Sequence, residues 1–207
     1  RIYVSQSGDD SLSGLSWFNS KRTLQSALQV AEQQIALGNF TAGSTVILVA
    51  SGDYTELCPL TIPEGVSIVG DDLRSVSIRP ANATSNVFYL NSGCYVYGIS
   101  VRGHQLSPSA LDITPTGYAN SSGQNLPRST TQSGWAFSFA PGATILSSPY
   151  VQNCSSISGD PGTGSGIYPG GGGVLVDSNQ INTQSSRLHS MVVDAFTQIN
   201  LGGIGVK

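Results

Sequence analysis

Short apolar runs separated by polar turns dominate the chain from Thr45 to Val101. Val46–Val49, Val66–Val69, Val76–Ile78, Val87–Leu90 and Tyr95–Val101 are each too short for a helix. They are rich in β-branched and aromatic residues, so each predicts a strand. Gly, Asp, Asn and Pro fill the intervals. The starts at Val46, Val66 and Val87 recur at about 20 residues, the period of a chain that winds in coils and lays each on the last. The expected fold class is all-β, a parallel solenoid whose inward side chains stack from coil to coil while backbone hydrogen bonds join successive coils.

The rest of the chain fits around those coils. Arg1–Gln6 alternates apolar and polar residues and predicts a first edge strand; Ser7–Ser20 is a Gly/Ser/Asp loop. Lys21–Leu37 predicts a helix, because Leu24, Leu28, Ala31 and Ile35 form one apolar stripe, with Thr23 as N-cap and Gly38 as stop. An open coil end exposes core side chains and unpaired strand edges, so this amphipathic helix is expected to cap it. Gly52–Glu56 reads as a connection between strands. Pro63-Glu64-Gly65 before Val66 and Pro141-Gly142 before Thr144–Leu146 read as one unit, a Pro/Gly turn feeding a strand. Between His104 and Ser133 the pattern fails, and an ordered loop packed along one face is expected. Strands are predicted again at Trp135–Phe139, Tyr150–Ile157 and Gly173–Asp177, then in Leu188–Phe196 and Ile199–Val206. Gly159–Gly173 lacks phosphate-loop spacing and reads as a tight turn. The whole, 1–207, is expected to be one domain: 1–44 is strand, loop and capping helix, and 45–207 is coils with the long loop at about 104–133. Both ends fall in strand-like runs, which suggests a longer parent protein.

Only 10% of the 207 residues are charged, and the net charge is −3 with no basic cluster, which argues against a nucleic-acid partner. No apolar run approaches the ~20 residues of a membrane span, so no membrane partner is expected. Cys58, Cys94 and Cys154 are widely spaced, odd in number and without a C-x-x-C pair. They read as reduced, mostly buried thiols, and neither a metal site nor any cofactor is expected. Asp9 and Asp10 read as solvated turn residues. Arg79 and Arg102 read as solvated arginines, with a ladder on one face as the alternative. His104 and His189 accompany no nucleophile motif.

The pieces from Thr23 to Val101 resemble the opening of the pectin-lyase-like superfamily of right-handed parallel β-helices. The resemblance rests on the helix Thr23–Leu28, the strand Val46–Val49, the G-x-Y-x-E unit Gly52–Glu56, and Val66-Ser67-Ile68-Val69-Gly70. It implies a right-handed β-helix with an N-terminal capping helix. The glutamine, aspartate and arginine motifs by which pectin methylesterases work do not occur here. Asp177 and Asp194 lie on strand-like runs and are the acid-pair candidates if the chain is an enzyme, because two close carboxylates split their pKa values. As outward or turn-capping residues they need no chemistry, so no catalytic residue is assigned.

A second resemblance, carried by Arg187–Val206 and the Ser/Gly/Asn-rich coils, is to β-helical virion structural proteins of contractile-tailed phages of marine cyanobacteria. It implies a non-enzymatic component of tail, tail fibre or baseplate. The implied assembly is a homotrimer or a complex with other virion proteins, located on the virion. Host surface polysaccharide is the candidate ligand, with Tyr118 and Trp135 as candidate glycan contacts; Trp135 also fits core or inter-subunit packing. The alternatives are a secreted carbohydrate-active enzyme of pectin methylesterase or polysaccharide lyase type, and a secreted adhesin.

Overall fold

The computed structural model describes residues 1–71, 75–104, 133–147 and 149–157, and the backbone of three short strands farther on. In chain order the elements are β1 (Ile2–Val4), α1 (Leu24–Ala36), a 3₁₀ turn (Ala42–Ser44), β2 (Val46–Val49), β3 (Gly52–Glu56), β4 (Leu60–Thr61), β5 (Ser67–Gly70), β6 (Val76–Pro80) and β7 (Phe88–Leu90). There follow β8 (Tyr95–Tyr97), β9 (Ser100–Arg102), β10 (Phe137–Phe139), β11 (Tyr150–Gln152), β12 (Ser155–Ile157), β13 (Val174–Leu175), β14 (Val192–Val193) and β15 (Gln198–Ile199).

These strands form three parallel sheets, and from β2 onward the chain visits them in rotation. The first sheet is ordered β1-β2-β5-β8-β11-β14, the second β3-β6-β9-β12-β15 and the third β4-β7-β10-β13. Register fixes which side chains stack. Ile2, Ile47, Ile68, Val96 and Val151 are successive partners across the first sheet, and all are fully buried. Tyr54, Ile78 and Val101 do the same across the second, and Leu60, Phe88 and Phe137 across the third. Each such aliphatic side chain contributes on the order of 1.5–3 kcal/mol by leaving water.

The period of about 20 residues is only partly real. Val46 and Ser67 are partners in the first sheet, but Val87 precedes a third-sheet strand, and the next first-sheet strand begins at Tyr95. Gly52–Glu56 is a strand rather than a connection, with Tyr54 and Glu56 buried. Tyr150–Ile157 is two strands in different sheets, split by a corner at Asn153-Cys154. Thr144–Leu146 is not a strand; Ser92 Oγ instead accepts the amides of Leu146 (3.0 Å) and Ser147 (2.8 Å).

The N-terminal segment covers one end of the sheets. The outer edge of β1 is occupied by the loop after it: Tyr3 N donates to Gly14 O (2.8 Å), Lys21 N to Tyr3 O (2.8 Å) and Ser5 N to Lys21 O (2.9 Å). An edge so paired is closed to another strand. Helix α1 lays Leu24, Ala27, Leu28 and Ala31 on the core, begins with Thr23 Oγ1 accepting Ser26 N (3.2 Å), and ends before Gly38 at φ 74°. These are the cap, stripe and stop expected from the sequence.

Candidate functional site

Among the described residues, two concavities and two outer sheet faces carry polar and aromatic side chains that chemistry or binding could use. The first concavity, about 350 Å³, lies beside the helix start and is lined by Gln6, Arg22, Thr23, Asp53, Tyr54 and Glu56. The buried carboxylate among them, Glu56, serves the fold. Glu56, 1% exposed, accepts the amides of Leu24 (2.7 Å) and Gln25 (3.1 Å), which a helix start leaves without partners. Burial pushes its carboxyl pKa up, against the opposing effect of those two amides. Asp10 accepts the amides of Arg22 and Thr23 through Oδ1 and the Thr23 hydroxyl through Oδ2. Exposed as the sequence reading has it, Asp10 also ties the loop to the helix. Asp9 accepts Ser11 N, a bond that holds its carboxyl below the usual range. Tyr54 donates its hydroxyl to Ala50 O (2.7 Å), and burial, with the Asp71 and Glu56 carboxylates adding to it, pushes that phenol to about 12.

The second concavity, about 650 Å³, runs between the C-terminal half of α1 and a stack of corner turns. Glu32, Ile35, Glu64, Gly65, Ser92 and Ser147 are among its lining residues. Gly65 N donates to Ser92 O and Gly93 N to Ser147 O, so the turns hang from one another by backbone bonds. The hydroxyl of Ser92 is already engaged with the next turn.

The second sheet's outer face bears Asp53, Thr55 and Arg79 exposed. Arg79 and Arg102 follow the register partners Ile78 and Val101 on neighbouring strands. Arg102 Nε and Ser77 Oγ are buried on this sheet without a hydrogen-bond partner. Asp71 accepts Ser51 N and caps a turn.

Trp135, a candidate glycan contact, is 1% exposed, so its ring offers no free face to a sugar. It sits at a pinned corner: Asn86 Oδ1 accepts the amides of Gly134 (2.9 Å) and Trp135 (3.0 Å), and His104 Nδ1 lies 2.9 Å from Gly134 O. His104 is fully buried, and burial lowers its pKa. Tyr118, Asp177, Asp194 and His189 lie outside the described residues, as do nearly all of the long loop and the glycine-rich stretch. Cys58, Cys94 and Cys154 are free; burial pushes each thiol to about 12, which removes nucleophilic character at neutral pH. Among the described residues no three His, Cys, Asp or Glu side chains gather where a metal ion would be held, and no helix is long and apolar enough to cross a membrane.

What the sequence did not single out is the first sheet's outer face, where Tyr95 and Tyr97 stack at 6.2 Å and Tyr3 meets Trp17 at 4.7 Å. The signal was the Tyr-Val-Tyr run, which puts aromatic rings on the side opposite the buried Val96. No protein-family model, curated protein or solved structure matches the chain.

Proposed function

We propose that the chain is a rigid structural rod, a right-handed parallel β-helix within the pectin-lyase-like architecture, serving as a non-enzymatic virion component that contacts polysaccharide on its flank. The observation that carries this reading is the rotation of successive strands through three parallel sheets with in-register buried ladders. Closing those sheets around one core makes each round of chain a rung, so stiffness grows with every rung added. Support also comes from how the ionisable groups are used: Glu56, Asp10 and Asp71 bind backbone amides, and burial pushes the three thiols up to about 12.

Virion membership, a homotrimer or contacts with other tail proteins, and the phage source extend this reading. The test is the purified parent particle. Specific antibody should label tail or baseplate in electron micrographs, and light scattering of the isolated chain should give the trimer mass. Absence of the chain from particles defeats the virion assignment. Release of methanol or unsaturated sugar from a polysaccharide panel would instead make the protein an esterase or lyase.

A further inference from the structure

The first sheet inverts the usual pattern of a sheet with one solvent face, which places charged and polar side chains outward. None of β1, β2, β5, β8 and β11 contains a charged residue. One outward column runs Tyr3, Leu48, Val69, Tyr97, Gln152 in register. The other runs Val46, Ser67, Tyr95, Tyr150. Trp17 extends the strip past the edge strand through its ring contact with Tyr3, and is 47% exposed; Tyr97 and Tyr150 are 37% and 40% exposed. Tyr95 donates its hydroxyl to Gln152 Oε1 (2.9 Å), which orients the carboxamide at the far end. The other members of both columns are half-buried, so the exposed rings of Trp17, Tyr97 and Tyr150 are what this face presents to a partner.

Its dimensions and chemistry select the occupant. Five strands at ~4.8 Å and three residues at ~3.3 Å give a footprint about 19 Å long and about 10 Å wide. Over the described strands that area, about 200 Å², is a quarter of the ~800 Å² per partner that a stable protein interface takes, so by itself it is too small for a copy–copy interface. Among the described strands the strip carries no charge, which gives a charged polymer nothing to pair with there. Aromatic rings carrying hydroxyls, flanked by a serine and an oriented carboxamide, present an apolar plane with hydrogen-bonding edges. A pyranose ring has the matching form, a face of C–H bonds and a rim of hydroxyls.

We infer that the outer face of the first sheet binds a neutral, linear oligosaccharide, laid across the strands on Trp17, Tyr97 and Tyr150 and hydrogen-bonded by Ser67 and Gln152. This gives a place to the polysaccharide contact of the proposed function and rests on that reading. The test titrates the intact chain with neutral hexasaccharides of β-1,4-glucan, α-1,4-glucan and mannan type. Binding is followed by calorimetry and by tryptophan fluorescence, in which exposed Trp17 responds and buried Trp135 stays silent. Binding of one probe, unaffected by added salt and weakened about tenfold by Trp17→Ala or Tyr97→Ala but not by Thr55→Ala, supports the site. No heat or fluorescence change at millimolar probe overturns it, as does binding indifferent to both aromatic substitutions. Self-association that Tyr97→Ala abolishes would make the strip a copy–copy interface and overturn the sugar site. Failure of the scaffold reading shows separately, as absence of the chain from particles or as turnover of polysaccharide.

Discussion

The carboxylate of Glu56, on the second sheet, reaches the backbone nitrogen of Leu24 at 2.7 Å and so closes the start of the capping helix. Its other oxygen takes Gln25 N at 3.1 Å. Side chains from β3 therefore set where α1 begins, and sheet and cap form one unit. Glu56→Ala strands two amides, one of them on fully buried Leu24. The expected loss is about 3 kcal/mol, with a fall in Tm of about 9 °C by calorimetry. Glu56→Gln keeps one acceptor and should lose about half as much. A Tm unchanged in Glu56→Ala would show that the cap does not depend on this carboxylate.

Phe88 and Phe137 are register partners in the third sheet, with ring centroids 5.5 Å apart and planes 11° from parallel. Each is at most 1% exposed. Phe88→Ala removes most of a large buried ring beside another and should cost about 4 kcal/mol. A double-mutant cycle of Phe88→Leu with Phe137→Leu should return a coupling of about 1 kcal/mol, read from urea midpoints. Additive losses would mean that the two rings do not pack on each other in solution.

His104 gives stability a pH dependence. Burial disfavours its protonated form, so the folded chain binds that proton only below the ordinary histidine value of 6.5. An unfolded chain binds it at about 6.5, and stability is therefore complete above that pH and is lost as pH falls through and below it. His104→Gln retains a side-chain donor for Gly134 O and removes the titration. The variant's urea midpoint should vary less than the parent's between about pH 7 and about pH 5. Equal slopes in the two proteins would exclude His104 as the titrating group.

The helix was legible because its signals are local: Thr23, the stripe from Leu24 to Ala31, and Gly38 all lie in one stretch. Strand type was legible too, from short β-branched runs between turn residues. Sheet membership was not. Strands of two to five residues have the same hydropathy whichever sheet they join, so spacing alone aligns Val87 with Val46 and Val66 although it leads into the third sheet. The chain also carries a finer repeat. Tyr95-Val96-Tyr97-Gly98-Ile99-Ser100 and Tyr150-Val151-Gln152-Asn153-Cys154-Ser155 lie in register, each turning its corner on a left-handed residue, Gly98 at φ 71° and Asn153 at φ 49°. Glycine and asparagine are the residues that tolerate that conformation. Trp135 drew notice by its place beside a polar loop, yet burial is decided by packing that composition does not report. Trp17, in an equally polar loop, is the exposed one.

Gly70 and Gly98 meet where first-sheet strands turn toward the second. A Cβ on Gly70 would collide with Gly98 O and stand 3.1 Å from its carbonyl carbon, both rigid backbone atoms. Neither can swing away as a flexible side chain would, so the corner itself has to shift and disturb the pairing of β5 with β8. Gly70→Ala should therefore cost about 3 kcal/mol by overpacking. Gly43→Ala provides the control, since nothing lies within 4 Å of its Cβ and no positive φ is required there. It should change stability by less than about 0.5 kcal/mol. Gly103→Ala separates the two effects. Its Cβ also meets nothing, but its φ of 71° should cost about 1–2 kcal/mol. Urea midpoints that rank Gly43→Ala as most stable, Gly103→Ala next and Gly70→Ala last would establish close stacking of successive corners. A Gly70→Ala protein as stable as the parent would mean that adjacent strands of the first sheet do not approach so closely, and that the stacked register fails at this corner.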